Sequence, residues 1–537
     1  MSDPVPPSIW ERSTLVRFFR WLFSWRGIRT VLIALAWIAT IIALLYGEEN
    51  WRGRRAWNKY RRDLEVRGEQ LDYKAFIPPP VPDEQNFAAT PFVKAWFIRK
   101  NWGDGDRELW GDDYSRIHAW PNSGKKKETR QFMNLVGWAR SFELARLGEF
   151  DKKTAPERPP RPEDLELPAR AKAAPAVLEG LKSSEPRLEE LRAASQRPYS
   201  VYPVNYDLNN PWGILLPHLA KIKATCTRLQ IKACAELALA QSDKALGDVR
   251  LMLYLADSVK SEPILISYLV RLACLQIAIQ PVWEGLAEHR WSDAHLQVLQ
   301  KQFEQYDFVR DLKFPLDGER AAGILTADLL YKRKYHLSEL VEEPNSASLG
   351  AQAANLFARI APHGWYHLEQ RNYARLYETM LAGTFEPQKR RVFPKQSEAN
   401  GKELQRQIAG GSIGKTLNGL LHHQLIAALL LPSLEGLPRR AATGQTAADE
   451  AVLACALERY RLANGKFPAR LDALAPRSIS QLPKDAITGD PYKYRLTDDG
   501  QFVLYSVGWN GADDGGTPGK VLFDDKFGDW VWEYPRE

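Results

Sequence analysis

The feature that most constrains this chain is an apolar run near its start. Residues 28–46 read IRTVLIALAWIATIIALLY, and Arg29, at one edge, is the only charged residue among these nineteen. A helix of nineteen residues is about 28 Å long, which is close to the hydrocarbon thickness of a bilayer. We therefore predict a transmembrane helix over 28–46, preceded by a basic cytoplasmic tail over 1–27.

The charges that flank this run bear on its orientation. Arginines before the run favour a cytoplasmic N-terminus, but residues 52–62 are also basic, so the charge rule does not decide alone. Because anchors with short leading tails usually insert that way, we expect the body on the periplasmic side of a bacterial inner membrane. A cleaved signal peptide is the alternative, and Leu45-Tyr46-Gly47 is a poor cleavage site. The leading arginines are Arg12, Arg17, Arg20, Arg26 and Arg29.

Charge and composition narrow the class of partner. Residues 1–75 hold 13 Lys/Arg and 8 Asp/Glu, which accounts for +5 of the net charge of +7. Attraction to anionic lipid head groups explains this local excess, so we expect a membrane partner and no nucleic acid. A content of 45% hydrophobic residues with 18 Trp excludes a disordered chain. The four cysteines stand singly, without the spacing of a disulfide framework or a zinc site.

Beyond the membrane the sequence predicts a mainly α fold. Residues 47–82 read as a juxtamembrane helix and a proline-rich linker, 83–209 as a mixed irregular and helical region, and 210–440 as an irregular helical body. Ser292-Asp293 has the residue types that cap a helix start. Residues 441–537 read as a small α/β module, a helix followed by a short antiparallel sheet.

Within that module, AADEAVLACALERYRLANGKFP predicts a helix that ends at Asn464-Gly465, where glycine allows a left-handed stop. Tyr492 to Leu496 and Phe502 to Ser506 are apolar or aromatic runs joined by a turn, which predicts a β-hairpin. The tail WVWEYP alternates like an edge strand, for which core packing is the default interpretation.

This order of parts resembles the globular domain of the type II secretion major pseudopilins. ALERYRLANGKFP, LPKDAITGDPYKY and LYSVGWNGADDGG correspond to the family's helix end, pre-sheet loop and last strand with its glycine-rich loop. The resemblance covers Thr446 to Trp532. The prepilin signal is missing from SWRGIRTVLIAL, and about 400 residues separate the anchor from the module, so polymerisation into a pseudopilus is not expected.

In that family the glycine-rich loop binds calcium, and the resemblance would place the ion near the carboxylates of this loop. Calcium prefers six to eight hard oxygen ligands, which such a loop can supply. Asn510 stands where the family usually has Asp, which removes one charge. A solvated acidic loop is the alternative. The candidate ligands are Asn510, Asp513, Asp514, Asp524 and Asp525.

Other motifs favour structural interpretations. Residues 409–416 formally match a P-loop, but the preceding GKELQRQI is charged and helical, so we expect no nucleotide. His363 and His367, with Glu369 nearby, lack the further ligand of a zinc protease, and His422-His423 lie in an apolar helix. Glu342-Glu343 and the acids Asp311, Asp317 and Glu319 read as solvated loop charge.

No catalytic constellation emerges from the sequence, and we name no catalytic residues. We expect a membrane-anchored cell-envelope protein with a non-enzymatic binding or assembly role, related to secretion through its pseudopilin-like module, with protein partners that the sequence does not identify. The alternative is a membrane-tethered hydrolase acting on envelope material, with a site assembled from residues far apart in the chain.

Overall fold

A computed structural model describes residues 13–98, 109–110, 130–147, 161–335, 360–408 and 422–534. These residues are mainly helical with small antiparallel sheets, which confirms the mainly α prediction. The chain divides into two compact units. The first is Met1–Glu69, Thr326–Ala374 and Gly410–Leu429, and the second is Gln70–Leu325, Arg375–Ala409 and Leu430–Glu537.

The helices are numbered in chain order over the described residues. They are α1 (Thr14–Leu22), α2 (Trp25–Val66), α3 (Pro91–Ala95), α4 (Leu135–Leu147), α5 (Leu167–Leu181), α6 (Glu185–Ala194), α7 (Pro217–Ala238), α8 (Ser242–Asp257), α9 (Leu265–Ala287), α10 (Asp293–Phe303), α11 (Phe308–Asp311), α12 (Lys313–Tyr331), α13 (His363–Leu381), α14 (Pro394–Ile408), α15 (Leu425–Leu430) and α16 (Leu437–Asn464). Short 3-10 turns lie at Tyr73–Phe76, Asp83–Gln85, Phe87–Ala89, Pro162–Leu165, Lys182–Ser184, Pro387–Lys389, Leu431–Leu434 and Leu471–Leu474.

In the first unit, the long helix α2 covers the whole predicted span 28–46 and continues through the predicted juxtamembrane helix. Beyond the apolar run it packs closely on the start of α13. A Cβ on Gly53 would lie 2.0 Å from the carbonyl oxygen of Gly364, so this contact requires glycine. The amide of Gly364 donates to the side chain of Asn50 at 2.8 Å, which fixes the same approach.

The second unit is built around α7, which packs against α5, α8 and α9. Residues 235–259 form the end of α7, a short turn and α8. Ser292 caps α10 by accepting a hydrogen bond from the amide of His295 at 3.2 Å, as predicted. All four cysteines are buried and free.

The C-terminal part of the second unit carries the predicted sheet. Its strands are β3 (Lys493–Leu496), β4 (Phe502–Ser506) and β5 (Trp530–Trp532), paired antiparallel in the order β3-β4-β5, which confirms the hairpin. A second ladder joins β1 (Phe385–Glu386) to β2 (Arg391–Val392). Gly465, with φ of +75°, ends α16 as predicted. All residues of β5 are buried, which agrees with core packing.

Buried ion pairs hold α5 to α9 in the second unit. The guanidinium of Arg170 is fully buried and pairs with Glu284 and Glu288, both on or next to the end of α9. It also lies over the ring of Phe132, at 4.6 Å from the centroid. The amide of Met133 donates to Glu284 at 2.6 Å, so the same carboxylate also fixes the chain before α4.

We predict that Arg170→Ala strongly destabilises the second unit. Removing the cation leaves two buried carboxylates without their partner, which costs about 3–5 kcal/mol in comparable buried pairs. The measurement is denaturant unfolding of the full chain in detergent micelles, followed by circular dichroism. Arg187→Ala is the matched control, because the side chain of Arg187 is half exposed. Equal effects of the two substitutions would contradict this role for Arg170.

Candidate functional site

The apolar part of α2 is left almost entirely exposed by the rest of the described chain. Its most apolar stretch of eighteen residues has a mean hydropathy of 2.3 and is 0% buried within the protein. The helix α9 is also long and apolar enough to cross a membrane, with a mean hydropathy of 1.6, but 61% of its corresponding stretch is buried. By burial, α9 is a core helix of the second unit, whereas α2 leaves its apolar side chains without protein cover.

Aromatic side chains mark both ends of this uncovered stretch. Trp25 is 82% exposed and Trp51 is 63% exposed. They are 26 residues apart on one helix, about 39 Å along its axis, close to the thickness of a bilayer including its head groups. Tryptophan is enriched at membrane–water interfaces, because the ring is apolar and its N–H is polar.

The second unit contains an aromatic pocket of about 210 Å³ with one carboxyl group in its wall. That carboxyl belongs to Glu319 of α12, and it is the only acidic group among the described residues that line the pocket. The other lining residues are Tyr73, Pro211, Trp212, Ile214, Leu216, Pro263, Ile264, Ile266, Gly318 and Ala322.

Two features position Glu319. A Cβ on Gly318 would lie 2.2 Å from the carbonyl oxygen of Pro263, so glycine lets α12 approach the segment before α9. Glu319 then accepts a hydrogen bond from the amide of Leu265, the first residue of α9, at 3.1 Å. The sequence interpretation of Glu319 as solvated loop charge is therefore wrong, because the residue lies within a helix and faces a pocket.

The environment of Glu319 changes its titration. Burial raises the pKa of this carboxyl to about 7, and the hydrogen bond from Leu265 opposes the shift. At neutral pH the group is therefore divided between its neutral and charged forms. It can accept a hydrogen bond from an ammonium or amide group, or donate one to a carbonyl oxygen, beside an apolar surface.

A larger groove of about 620 Å³ lies over α6, α7 and α8 and is lined mostly by charged residues. Its floor is a network in which Lys232 contacts Glu236 at 2.7 Å and Asp248 at 3.1 Å. Arg192 pairs with the same Asp248. Burial, with Asp248 as the next cause, raises the pKa of Glu236 to about 8. These charges largely neutralise one another, so the groove offers little net charge to a ligand.

The predicted calcium ligands lie in one loop, but each is engaged separately. Asp524 accepts hydrogen bonds from the amides of Lys520, Lys526 and Phe527 at 2.8–3.2 Å, and Asp525 pairs with Arg439. Asp513 accepts from the amide of Gly515 and the hydroxyl of Tyr505, both at 3.1 Å.

Among the nominated side chains, the amide of Asn510 donates to the carboxylate of Asp514 at 3.4 Å. Over the described residues, no three acidic, histidine or cysteine side chains gather as a metal site. As placed, the carboxylates of Asp513, Asp524 and Asp525 are each held by separate partners. Binding would require Asp513 and Asp524 to release their present donors.

The remaining motifs have structural roles where they are described. In the first unit, Glu369 accepts hydrogen bonds from the amides of Leu425 and Ile426, at the start of α15. His367 bonds to Gln370 at 3.0 Å. The P-loop-like residues 409–416 and the pair at 342–343 lie outside the described residues. Asp311, read as loop charge, is instead an ion-pair partner of Arg271 at 2.8 Å.

Comparison of the chain with protein-family models, with curated proteins and with solved structures gave no match. The exposed apolar helix and the pockets of the second unit are therefore the features that bear on function.

We predict that Glu319→Gln removes a pH-dependent loss of stability. The pKa is raised from 4.5 to about 7 on folding, so between these values the folded state retains a proton that the unfolded state has lost. The stabilisation that Glu319 contributes is therefore fully present below pH 4.5 and is lost as the pH rises through 7. Relative to wild type, the variant should gain about 1–3 kcal/mol over that interval.

The measurement is denaturant unfolding of wild type and variant at a series of pH values in detergent. Glu398→Gln, at an exposed carboxylate of α14, is the control and should leave the pH dependence unchanged. Parallel pH profiles of wild type and Glu319→Gln would show that Glu319 titrates as an ordinary surface acid.

Proposed function

We propose that this chain is a single-pass membrane protein of the bacterial inner membrane whose body, on the periplasmic side, binds partner proteins in a secretion-related assembly. One observation carries the proposal, namely that an apolar stretch long enough to cross a bilayer is left wholly uncovered by protein. Exposing such a surface to water is unfavourable, at about 25 cal/mol for each Å². A bilayer removes that penalty.

The helix geometry supports the anchor. All backbone groups inside an uninterrupted helix are hydrogen bonded within it, which hydrocarbon requires. The polar side chains Thr30 and Thr40 donate to the carbonyls of Arg26 and Ala36, at 2.9 Å and 2.8 Å, so they present no unsatisfied hydroxyl. The helix can therefore lie in lipid without a polar partner.

A binding role fits the pockets of the second unit better than a catalytic one does. The aromatic pocket has mainly apolar walls with one carboxyl group, which is typical of small-molecule binding sites. The carboxylates that line the charged groove pair with Arg192, Lys232 or Lys182. Neither site brings a serine, threonine or cysteine together with a base among its described lining residues.

The alternative is a membrane-tethered hydrolase, and Glu319 is the observation that favours it. A carboxyl with a pKa near 7 is suited to general acid or base catalysis at neutral pH. Hydrolysis also needs a nucleophile or a second carboxyl, and the described lining of this pocket offers only the hydroxyl of Tyr73, whose pKa burial and the nearby Glu319 raise. Turnover of chromogenic esters or glycosides by wild type, absent in Glu319→Gln, would favour the hydrolase.

The C-terminal module is proposed to be pseudopilin-like. Its long helix α16 precedes a small antiparallel sheet, and a glycine-rich loop separates the last two strands, which is the order of parts that the family resemblance implies. This order supports an assembly role for the module. Calcium binding by its loop is proposed on the same resemblance, at the weak end of the protein range because the loop must rearrange.

We predict that the full-length protein stays in the membrane fraction when membranes are washed with alkaline carbonate. Leu35→Arg combined with Ile38→Arg should release it or prevent insertion, because each arginine at the centre of a span costs about 2.5–3.5 kcal/mol. Val66→Arg, at the exposed end of α2, is the control. Recovery of unprocessed wild type in the wash without detergent would refute the anchor, and an N-terminus near Glu48 would identify a cleaved signal peptide.

For the loop, we predict that calcium at about 10 mM raises the unfolding temperature of the full chain, as expected for a site with a dissociation constant of about 1 mM. Magnesium at the same concentration is the control for ionic strength. Asp513→Asn combined with Asp514→Asn should remove the calcium effect. The same midpoint with and without calcium would end the calcium proposal and leave the anchor untouched.

A further inference from the structure

The short helix α1 lies just before the proposed anchor and has no buried residue. Its sequence, TLVRFFRWL, separates into two faces at 100° per residue. Leu15, Phe18, Phe19 and Leu22 fall within one third of the circumference, and Arg17 and Arg20 fall on the opposite side. Phe18 and Phe19 are each 53% exposed. A soluble helix would bury such a face.

A tight elbow joins α1 to α2. Ser24 caps α2 by accepting from the amide of Gly27 at 3.1 Å, and its hydroxyl donates to the carbonyl of Trp21 at 2.7 Å. A Cβ on Gly27 would lie 1.8 Å from that same carbonyl oxygen, so only glycine permits the contact. The elbow therefore interrupts the helix at a defined place, the two residues Phe23 and Ser24 between α1 and α2.

The position of this elbow sets the depth of α1. The apolar span begins at Ile28, four residues after the cap, so a spanning α2 leaves Ser24 at the boundary between hydrocarbon and head groups. A helix that leaves the elbow at this depth meets lipid head groups on one side and acyl chains on the other. The two faces of α1 match those two environments.

We propose that α1 lies in the plane of the bilayer surface, with its phenylalanine face inserted among the acyl chains and Arg17 and Arg20 bound to the phosphates of anionic lipid head groups. Basic amphipathic helices with aromatic residues on the apolar face bind membranes in this way. This assignment rests on the proposed anchoring by α2.

A lipid surface is favoured over a protein partner by size and continuity. Nine residues of helix are about 13 Å long, which gives too little contact area for a stable pairing with a second copy of the chain. Lipid needs no separate binding event, because the elbow already holds α1 at the bilayer. The arginines also carry the charge that complements an anionic leaflet.

The experiment uses the full chain in lipid nanodiscs with a nitroxide on one introduced cysteine. The native cysteines are buried, so labelling reports the new site. Phe18→Cys marks the apolar face, Arg17→Cys the polar face and Ala36→Cys the span. We expect the label at residue 18 to collide with oxygen and to be shielded from a water-soluble nickel chelate, and the label at residue 17 to show the reverse.

The label in the span separates the two proposals. A deep label at residue 36 with equally water-exposed labels at 17 and 18 would overturn the surface helix and leave the anchor standing. A water-exposed label at residue 36 would overturn both. Shielding of residue 18 from oxygen as well as nickel would indicate a protein contact instead of lipid and would also overturn the proposal.

The head-group contact is tested in nanodiscs of phosphatidylcholine with and without phosphatidylglycerol. Phosphatidylglycerol should increase the ratio of inserted to free label at residue 18, and Arg17→Gln with Arg20→Gln should reduce that ratio about 5- to 30-fold. Arg250→Gln with Arg495→Gln removes the same charge from exposed positions of the second unit and is the control. No dependence on phosphatidylglycerol, or equal effects of the two double variants, would overturn the role of the arginines.

Discussion

The exclusion of apolar side chains from water is the constraint on which the arrangement of this chain depends. In the second unit the constraint is met by packing, as α9 shows with its largely buried apolar surface. In the first unit, packing against protein does not satisfy this constraint, because the apolar stretch of α2 is not buried by the described residues. A bilayer would satisfy the same requirement, and the proposed placement of α2 in lipid would then determine where the following residues leave the membrane.

Charge distinguishes these two apolar helices more clearly than hydropathy does. The helix α9 carries Arg271 and Glu284 in buried positions, and both have partners on other elements. Arg271 contacts Asp257 at 2.7 Å and lies over the ring of Phe308 at 4.8 Å from its centroid. Such pairs add little net stability, since desolvation offsets the attraction, but a lone charge would be costly. They therefore fix how α9 packs, and a helix with those charges has its partners in protein rather than in lipid.

Local sequence signals predicted local structure well. The cap at Ser292 and the left-handed end at Gly465 depend on one or two residues, and each appears where the sequence places it.

The pocket carboxyl could not be predicted in this way. Glu319 and Tyr73 line the same pocket although they lie far apart in the sequence, and only tertiary packing raises the pKa of Glu319. The environment of Asp449 could likewise not be predicted locally, because its hydrogen-bond donors Arg390 and Tyr492, at 3.0 Å and 3.1 Å, come from other parts of the chain. The resemblance that suggested calcium ligands named residues of one loop, but it did not include the loop amides that compete for the same carboxylates.

Two glycines of α2 lie at close backbone contacts on either side of its apolar stretch. Gly27 lies against the carbonyl of Trp21, and Gly53 lies against that of Gly364. The two glycines are 26 residues apart, about 39 Å along the helix, close to the thickness of a whole bilayer. With α2 placed across a bilayer as we propose, the contact at Gly53 would hold the start of α13 about 10 Å beyond the hydrocarbon, since Gly53 follows the end of the span by seven residues.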